Sequence, residues 1–122
     1  AERRMFSKAI VNTARFLRMP ASARLLYYDL GMNADDDGFV EAFAILRTTG
    51  ASEDDLFLLE ERGFVLVLNE ELVTYIAHWN KNNYIQKDRY HPSMYREIYD
   101  VDKLKQECIQ SGRILYTQDR LG

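Results

Sequence analysis

The sequence predicts an α+β domain that is mainly α-helical, with a small sheet of two or three strands and a C-terminal extension. Three observations predict it. Apolar residues recur at helical spacing in the first half of the chain, two short runs rich in Val, Leu, Tyr and Thr follow, and short polar or Gly-containing segments separate these elements. The length of 122 residues fits one hydrophobic core without support from disulfides or metals.

The first predicted elements are two helices that meet near Met19-Pro20. A short helix is expected near residues 8–17. A longer one is expected over residues 21–32, because proline fits the first turn of a helix, where its missing N–H would be unpaired in any case. Apolar side chains at three- and four-residue spacing are expected to face the core. They are Leu25, Leu26, Tyr28, Leu30 and Met32.

A short strand and a further helix are predicted next. Residues 33–38 are polar and end in glycine, so we expect a turn there, followed by a very short strand at Phe39-Val40. Residues 41–49 read as a helix with Ala42, Ile45, Leu46 and Thr49 on one face. Gly50 closes this helix, because glycine readily adopts the left-handed conformation of a C-terminal cap.

Another helix is predicted to begin directly after Ser52. The Ser52 hydroxyl can accept a hydrogen bond from the backbone N–H of Asp55, and an acid three positions after a serine is typical of a capping box. Leu56 and Leu59 anchor this helix to the core, and it ends near Gly63.

Residues 64–68 and 72–76 predict a β-hairpin with its turn at residues 69–71. The order helix, short strand, helix, turn, helix and hairpin is typical of a winged helix-turn-helix domain, in which the hairpin is the wing. The winged helix-turn-helix domain is therefore predicted over residues 1–92.

Residues 77–92 are polar and aromatic, and a largely irregular segment is predicted there. Residues 93–122 form the predicted C-terminal extension, with one helix at about residues 100–110. Asp100 would be its N-cap, and Ser111-Gly112 would end it. Val101, Leu104 and Cys108 are expected to lie together on this helix.

The composition excludes several protein classes. No run approaches the roughly 18 apolar residues that a membrane span needs, and no charged-then-apolar leader opens the chain. Cys108 is the only cysteine, so an internal disulfide and a Cys-based zinc site are excluded. We expect a soluble protein in the cytoplasm of a bacterial cell, with no membrane partner.

The segment Asn33 to Gly38 places oxygen-bearing side chains and a glycine where a calcium loop has them. Position 12 of such a loop would be Ala44 instead of a bidentate glutamate, so we expect a turn. The consecutive acids Asp35, Asp36 and Asp37 could be nominated as Mg²⁺ ligands for nuclease chemistry, with Lys81 as an activator, but consecutive side chains point in divergent directions. No metal site and no cofactor are predicted.

The sequence gives little evidence for a catalytic site. His78 and His91 are the only histidines, no Ser-His-Asp ordering is apparent, and no Gly-rich phosphate loop occurs. His78 is expected to pack against the end of the wing. We predict no catalytic residue and no enzyme activity.

Charge is unevenly distributed, although the net charge is only -3. Residues 1–28 carry six basic residues against one acid, residues 29–71 carry twelve acids against two basic residues, and the rest carries eight basic residues against six acids. A local positive face can bind DNA despite a negative total. Solvated surface charge is the alternative interpretation.

The predicted recognition helix is a weak candidate for the major groove, because Glu53, Asp54 and Asp55 at its start would repel phosphates. Stronger candidates combine basic and amide groups with aromatics, which suit phosphate contacts and groove insertion. A tail that packs its aromatics on the domain is the alternative. The predicted DNA-binding residues are Arg3, Arg4 and Lys8 as an arm, then Arg47, Thr48, Ser52, Lys81, Asn82, Asn83, Tyr84, Gln86, Lys87, Arg89 and Tyr90.

Several segments together resemble a known family. They are Arg3 to Ser7, Met19-Pro20 with Ala23 to Tyr28, Ala34 to Val40, Gly50 to Leu56, and above all His78-Trp79 followed by Asn83 to Tyr90. Over about residues 3–92 the chain resembles the N-terminal domain of replisome organizers from phages and prophages of Gram-positive bacteria. These proteins share a winged-helix fold with primosomal DnaD-type proteins.

The resemblance implies a module that binds double-stranded origin DNA or self-associates at the start of DNA replication. A C-terminal domain outside this chain would contact the helicase or its loader. Two alternatives stay open, a winged-helix transcriptional regulator and a protein-interaction module that assembles a primosome without touching DNA. The second gains from Phe57 and Leu58, which need not both reach the core.

Overall fold

The structure is a computed structural model and describes residues 1–110. About half of these residues are helical, and three short strands form one antiparallel sheet, so the fold is α+β. The elements in chain order are α1 (Lys8–Val11), α2 (Ala14–Leu17), α3 (Ala21–Asn33), β1 (Phe39–Glu41), α4 (Ala42–Thr49), α5 (Glu53–Glu61), β2 (Val65–Val67), β3 (Val73–Ile76), α6 (Trp79–Asn82) and α7 (Val101–Gln110).

The helix predicted near residues 8–17 is two separate helices, α1 and α2, so its predicted continuity is wrong. Thr13 has extended backbone angles and interrupts the helical run. Its hydroxyl accepts a hydrogen bond from the Phe16 N–H at 3.2 Å and donates one to the Ile10 carbonyl at 2.9 Å. Thr13 therefore caps α2 while it holds the end of α1, as threonine does at helix N-termini.

The bounds predicted for α3 are confirmed to within one residue, and the predicted core face is confirmed at Leu26 and Leu30 but wrong at Leu25 and Met32. Leu25 and Met32 are 61% and 54% exposed. The buried face is formed by Ala23, Leu26, Tyr27 and Leu30, and Tyr28 packs partly buried against the same core. Apolar residues surround most of α3, so spacing alone could not select the face that packs against α4 and α5.

Most predictions for the central elements are confirmed. Gly50 ends α4 with a φ of 77°, the left-handed conformation of a C-terminal cap. The backbone N–H of Asp55 donates to the Ser52 hydroxyl at 3.2 Å at the start of α5, and Leu56 and Leu59 are buried. On α4, by contrast, Thr49 is exposed although it was predicted to share the core face.

The sheet has the strand order β1–β3–β2, so the predicted hairpin supplies two strands and β1 adds a third. Tyr75 on β3 pairs with Phe39 on β1 and with Leu66 on β2. The hairpin turn is held by the Asn69 side chain, which accepts hydrogen bonds from the backbone N–H groups of Glu71 and Val73. Such a side-chain bond replaces part of the backbone pairing in a tight turn.

The sheet is covered on both faces. The main core lies between the helices and the sheet, and its fully buried rings include Phe16 and Tyr27. A second, smaller cluster joins α7 to the sheet through Val101 and Leu104, which pack near Tyr75. The predicted final helix is thus confirmed. Its predicted stop at Ser111-Gly112 and the Cys108 side chain lie outside the described residues.

The segment after β3 is more ordered than predicted. It contains α6 and two short 3-10 turns at Lys87–Arg89 and Met94–Glu97. His78 is buried with its ring 5.7 Å from that of Phe64, beside the end of the hairpin. Within residues 1–110, no helix combines the length and the apolar character that a membrane span requires.

Candidate nucleic-acid interface

The loop at residues 35–37 is the most densely bonded polar part of the described chain, and we call Asp35, Asp36 and Asp37 the aspartate cluster. Asp35 forms the predicted turn, because its carboxylate accepts hydrogen bonds from the backbone N–H groups of Asp37 and Phe39, both at 3.0 Å. Gly38 closes the turn with a φ of 90° and lies against the Trp79 ring. Only glycine fits there without strain.

Asp36 is buried and receives donors from two remote segments. The Arg4 guanidinium donates to its carboxylate at 3.0 Å, and the Ala1 amino group does so at 2.7 Å. The backbone N–H of His91 donates to it at 2.9 Å. Burial alone would raise the pKa of Asp36, but these hydrogen bonds and charges outweigh burial and hold the pKa below its usual range.

Arg4 is itself almost fully enclosed, with a side chain 7% exposed. It donates twice to the Ala34 carbonyl, at 3.1 Å and 2.7 Å, and its guanidinium lies 5.3 Å from the centre of the Trp79 ring. The Trp79 indole N–H donates to the Asp36 carbonyl at 2.9 Å. Arg4 and Trp79 therefore both bind Asp36, Arg4 at its carboxylate and Trp79 at its backbone carbonyl.

Asp37 binds the segment after residue 89. The Tyr90 hydroxyl and the Ser93 backbone N–H donate to its carboxylate at 2.8 Å, and Arg96 donates at 3.0 Å. Burial and the neighbouring Asp37 raise the pKa of Tyr90, while Asp37 raises the pKa of Arg96. The Ser93 hydroxyl also donates to Asp35 and the His91 N–H donates to Asp36, so this segment is bonded to all three carboxylates.

These contacts decide what the cluster can do chemically. Each of its three carboxylates accepts hydrogen bonds from protein donors, and in Asp36 and Asp37 those donors include arginine. Among residues 1–110 no group of three or more His, Cys, Asp or Glu side chains is placed to hold a metal ion. The aspartate cluster thus joins distant parts of the chain.

Residues 1–7, the arm, run alongside residues 82–91 in the opposite direction. The Met5 backbone N–H donates to the Asn83 side chain and the Ser7 N–H donates to the Asn82 side chain, both at 2.8 Å. Asn82 is also bonded to the core, because its amide donates to the hydroxyl of the buried Tyr27 at 2.8 Å. Two buried asparagines therefore fix the arm against the segment that follows β3.

This alignment brings two basic segments together, although they lie about 80 residues apart in sequence. We call the exposed predicted DNA-binding side chains of these segments, together with Lys8 and Lys81 next to their ends, the basic surface. Acids in the same segments are Glu2 and Asp88, so positive charge predominates. The exposed members of the basic surface are Arg3, Lys8, Lys81, Tyr84, Gln86, Lys87 and Arg89.

The predicted DNA-binding residues thus separate into groups. Four of them make internal contacts that position the arm and residues 82–91. These four are Arg4, Asn82, Asn83 and Tyr90. The other predicted residues of these two segments belong to the basic surface. The positioning role could not be read from sequence, because nothing local indicates that Asn82 and Asn83 point inward.

Three further candidates lie elsewhere, on α4 and at the start of α5. Ser52 caps α5, and the Thr48 hydroxyl donates to the Ala44 carbonyl, while Arg47 is exposed. The first turn of α5 carries three acids. They stabilise the helix through its dipole and would repel DNA phosphates.

No protein-family model matches this chain, and no characterised protein or solved structure matches it either. The resemblance to replisome organizers therefore stays a prediction.

Proposed function

We propose that this chain is a winged-helix module that binds DNA at a phage or prophage replication origin and helps to assemble the helicase-loading machinery. Three features support the fold assignment. The elements α3, β1, α4, α5 and the β2–β3 hairpin occur in the order of a winged helix-turn-helix domain, α3 packs against α4 and α5, and β1 adds to the hairpin.

The basic surface is the observation that carries the DNA-binding proposal. Arg3, Lys87 and Arg89 are exposed cations on segments that hydrogen bonds hold side by side. A fixed arrangement of cations neutralises several phosphates at once and releases their counterions, which is the main source of DNA affinity. The backbone is already ordered in the free protein, so binding costs less conformational entropy.

This surface, and not α5, is the proposed DNA contact. In many helix-turn-helix proteins the second helix enters the major groove. Here Glu53, Asp54 and Asp55 would meet the phosphates first. The module would instead contact the DNA backbone with the arm and residues 81–89, in the manner of proteins that place basic arms along a groove.

The proposal assigns no enzymatic role to the chain. Contact with a helicase or its loader would come through a region outside these residues, as the resemblance implies. Self-association is compatible with the proposal.

A protein-interaction module without DNA contact is the second candidate. Phe43 on α4 and Phe57 on α5 are 57% and 44% exposed, and large exposed aromatic side chains are enriched at protein interfaces. Phe57 lies on a helix with five acids, Glu53, Asp54, Asp55, Glu60 and Glu61, so α5 is opposite in charge to the basic surface.

Fluorescence anisotropy with a labelled origin duplex, at several salt concentrations, tests the DNA proposal. A Lys87→Glu/Arg89→Glu variant should bind far more weakly than the unaltered chain. Neutralised phosphates set the salt dependence, so the slope of log K against log salt should become shallower by about 2 units for two lost phosphate contacts.

The control is Arg62→Glu/Lys103→Glu, which makes the same change in net charge at exposed residues outside the basic surface. It should keep nearly all the affinity. Equal losses in both variants would indicate a net-charge effect and refute the assignment to the basic surface. If the unaltered chain does not bind DNA even at low salt, the protein-interaction role becomes the better account.

A further inference from the structure

Tyr84 is the most exposed large apolar side chain of the described residues, at 80%. It follows Asn83, whose backbone is extended with a φ of -128° and a ψ of 134°. Successive side chains point in opposite directions along extended backbone. Because Asn83 is buried and bonded to the Met5 N–H, Tyr84 is directed outward beside the arm.

The backbone that carries Tyr84 is fixed on its N-terminal side. Asn82 binds both Ser7 and Tyr27, and Asn83 binds Met5, so the two residues before Tyr84 are tied to the arm and to the core. A tyrosine ring has only two side-chain torsions to order, which makes it a low-entropy contact group. Tyr84 therefore presents a flat apolar face at little conformational cost.

The surroundings of Tyr84 are cationic. Lys81 precedes it on α6, and Lys87 and Arg89 follow it on the next turn, all exposed. An exposed aromatic ring among cations is the arrangement found in proteins that bind single-stranded nucleic acid, where cations follow the phosphates and rings stack on the bases. In a paired duplex the base faces are already stacked, so a ring can reach them only by unstacking adjacent base pairs, at a cost in free energy.

We propose that Tyr84 stacks on an unpaired base, so that the basic surface holds single-stranded or locally opened DNA more tightly than a fully paired duplex. This inference rests on the proposed DNA binding at the same surface. In it the cations supply contacts to both forms of DNA, whereas the Tyr84 ring contributes only where a base face is free.

The test uses two fluorescein-labelled probes, an oligothymidylate of about 20 nucleotides and a duplex of about 20 base pairs. We expect Tyr84→Ser to weaken oligothymidylate binding about 5- to 100-fold, the loss of one stacked base, and to change duplex binding less than about twofold. Tyr84→Phe should bind as the unaltered chain does, because it keeps the ring. Phe43→Ser is the matched control, since it removes an exposed ring from α4 and should change neither affinity.

A second measurement reports stacking directly. A Tyr84→Trp variant places an indole at the same position. The only native tryptophan, Trp79, is buried. Stacking on a base quenches indole fluorescence, so oligothymidylate at saturation should quench this variant more than it quenches the unaltered chain, and saturating duplex should not.

The outcomes separate this inference from the proposal on which it rests. If the chain binds both probes but Tyr84→Ser has no effect, or weakens both equally, base stacking is refuted and DNA binding stands. The same conclusion follows if Tyr84→Trp shows no additional quenching. If neither probe binds at low salt, the proposed function fails and the stacking inference fails with it.

Discussion

Replacing Asp36 with asparagine tests the central structural claim, that an ion pair ties the arm to the rest of the molecule. The side chain keeps its size, but the carboxylate charge that faces Arg4 is lost. Both partners are enclosed, with side chains 3% and 7% exposed, and their atoms lie 3.0 Å apart. Arg4 would then carry a buried charge without its anionic partner.

The expected cost follows from that burial. Breaking a buried pair by removing one partner typically costs 3–5 kcal/mol, because the remaining charge stays desolvated. Arg4 keeps its two hydrogen bonds to the Ala34 carbonyl, and the asparagine oxygen can still accept from His91, so we expect the lower end, about 3 kcal/mol. For a domain of this size that corresponds to a fall in Tm of roughly 10–15 °C.

Urea unfolding followed by circular dichroism measures this change. Asp88→Asn is the control, because Asp88 is exposed and its replacement should change the free energy of unfolding by less than about 0.5 kcal/mol. Arg4→Gln combined with Asp36→Asn should be less damaging than the sum of the two single changes. Strict additivity, or equal stability of Asp36→Asn and the control, would refute the ion-pair argument.

Three further predictions concern the same region and the helix caps. Hydrogen bonds to the Asp36 carboxylate hold its pKa below the unfolded value of about 3.9, so its contribution to stability is present above about pH 4 and is lost as the pH falls through the folded pKa. Urea titrations at a series of pH values should therefore show the gap between the unaltered chain and Asp36→Asn closing in acid, and a constant gap would contradict this. Gly38→Ala should destabilise the chain by more than about 2 kcal/mol, because an added Cβ would lie 2.7 Å from Trp79 at a φ of 90°. Gly50→Ala, at a similar φ but with no atom within 4 Å, should cost only about 1 kcal/mol, and similar thermal unfolding of the two variants would count against the steric argument. Ser52→Ala should cost about 1 kcal/mol through the lost cap, whereas Ser52→Asp should retain most of the stability in the same urea assay.

Local chemistry explains which parts of the fold the sequence could predict. The caps at Gly50 and Ser52 could be predicted, because a left-handed C-terminal cap and a hydroxyl acceptor both act within one turn of the chain. The hairpin could be predicted for the same reason, because its two strands are joined by a short turn. The face of α3 was predicted only in part, because Leu25 and Met32 compete with the buried positions on a helix that is apolar around most of its surface.

The candidate site depended on long-range contacts that no local pattern shows. Nothing in the spacing of Asp36 indicates that Arg4 and His91 would converge on it from opposite sides. Asn82 and Asn83 looked like surface amides, yet both point inward and hold the arm. The sequence therefore predicted which segments were basic, and the structure shows that these segments lie together.

The donors to the aspartate cluster come from both ends of the described chain. Arg4 lies 32 residues before Asp36, and Arg96 lies 59 residues after Asp37. Contacts of such separation require long loops to close, which costs conformational entropy that the contacts must offset. During synthesis on the ribosome the arm emerges before the rest of the described residues, yet Asn82 and Asn83 are made long afterwards. The basic surface therefore cannot form until residues 81–89 have been synthesised, although its arm is made first.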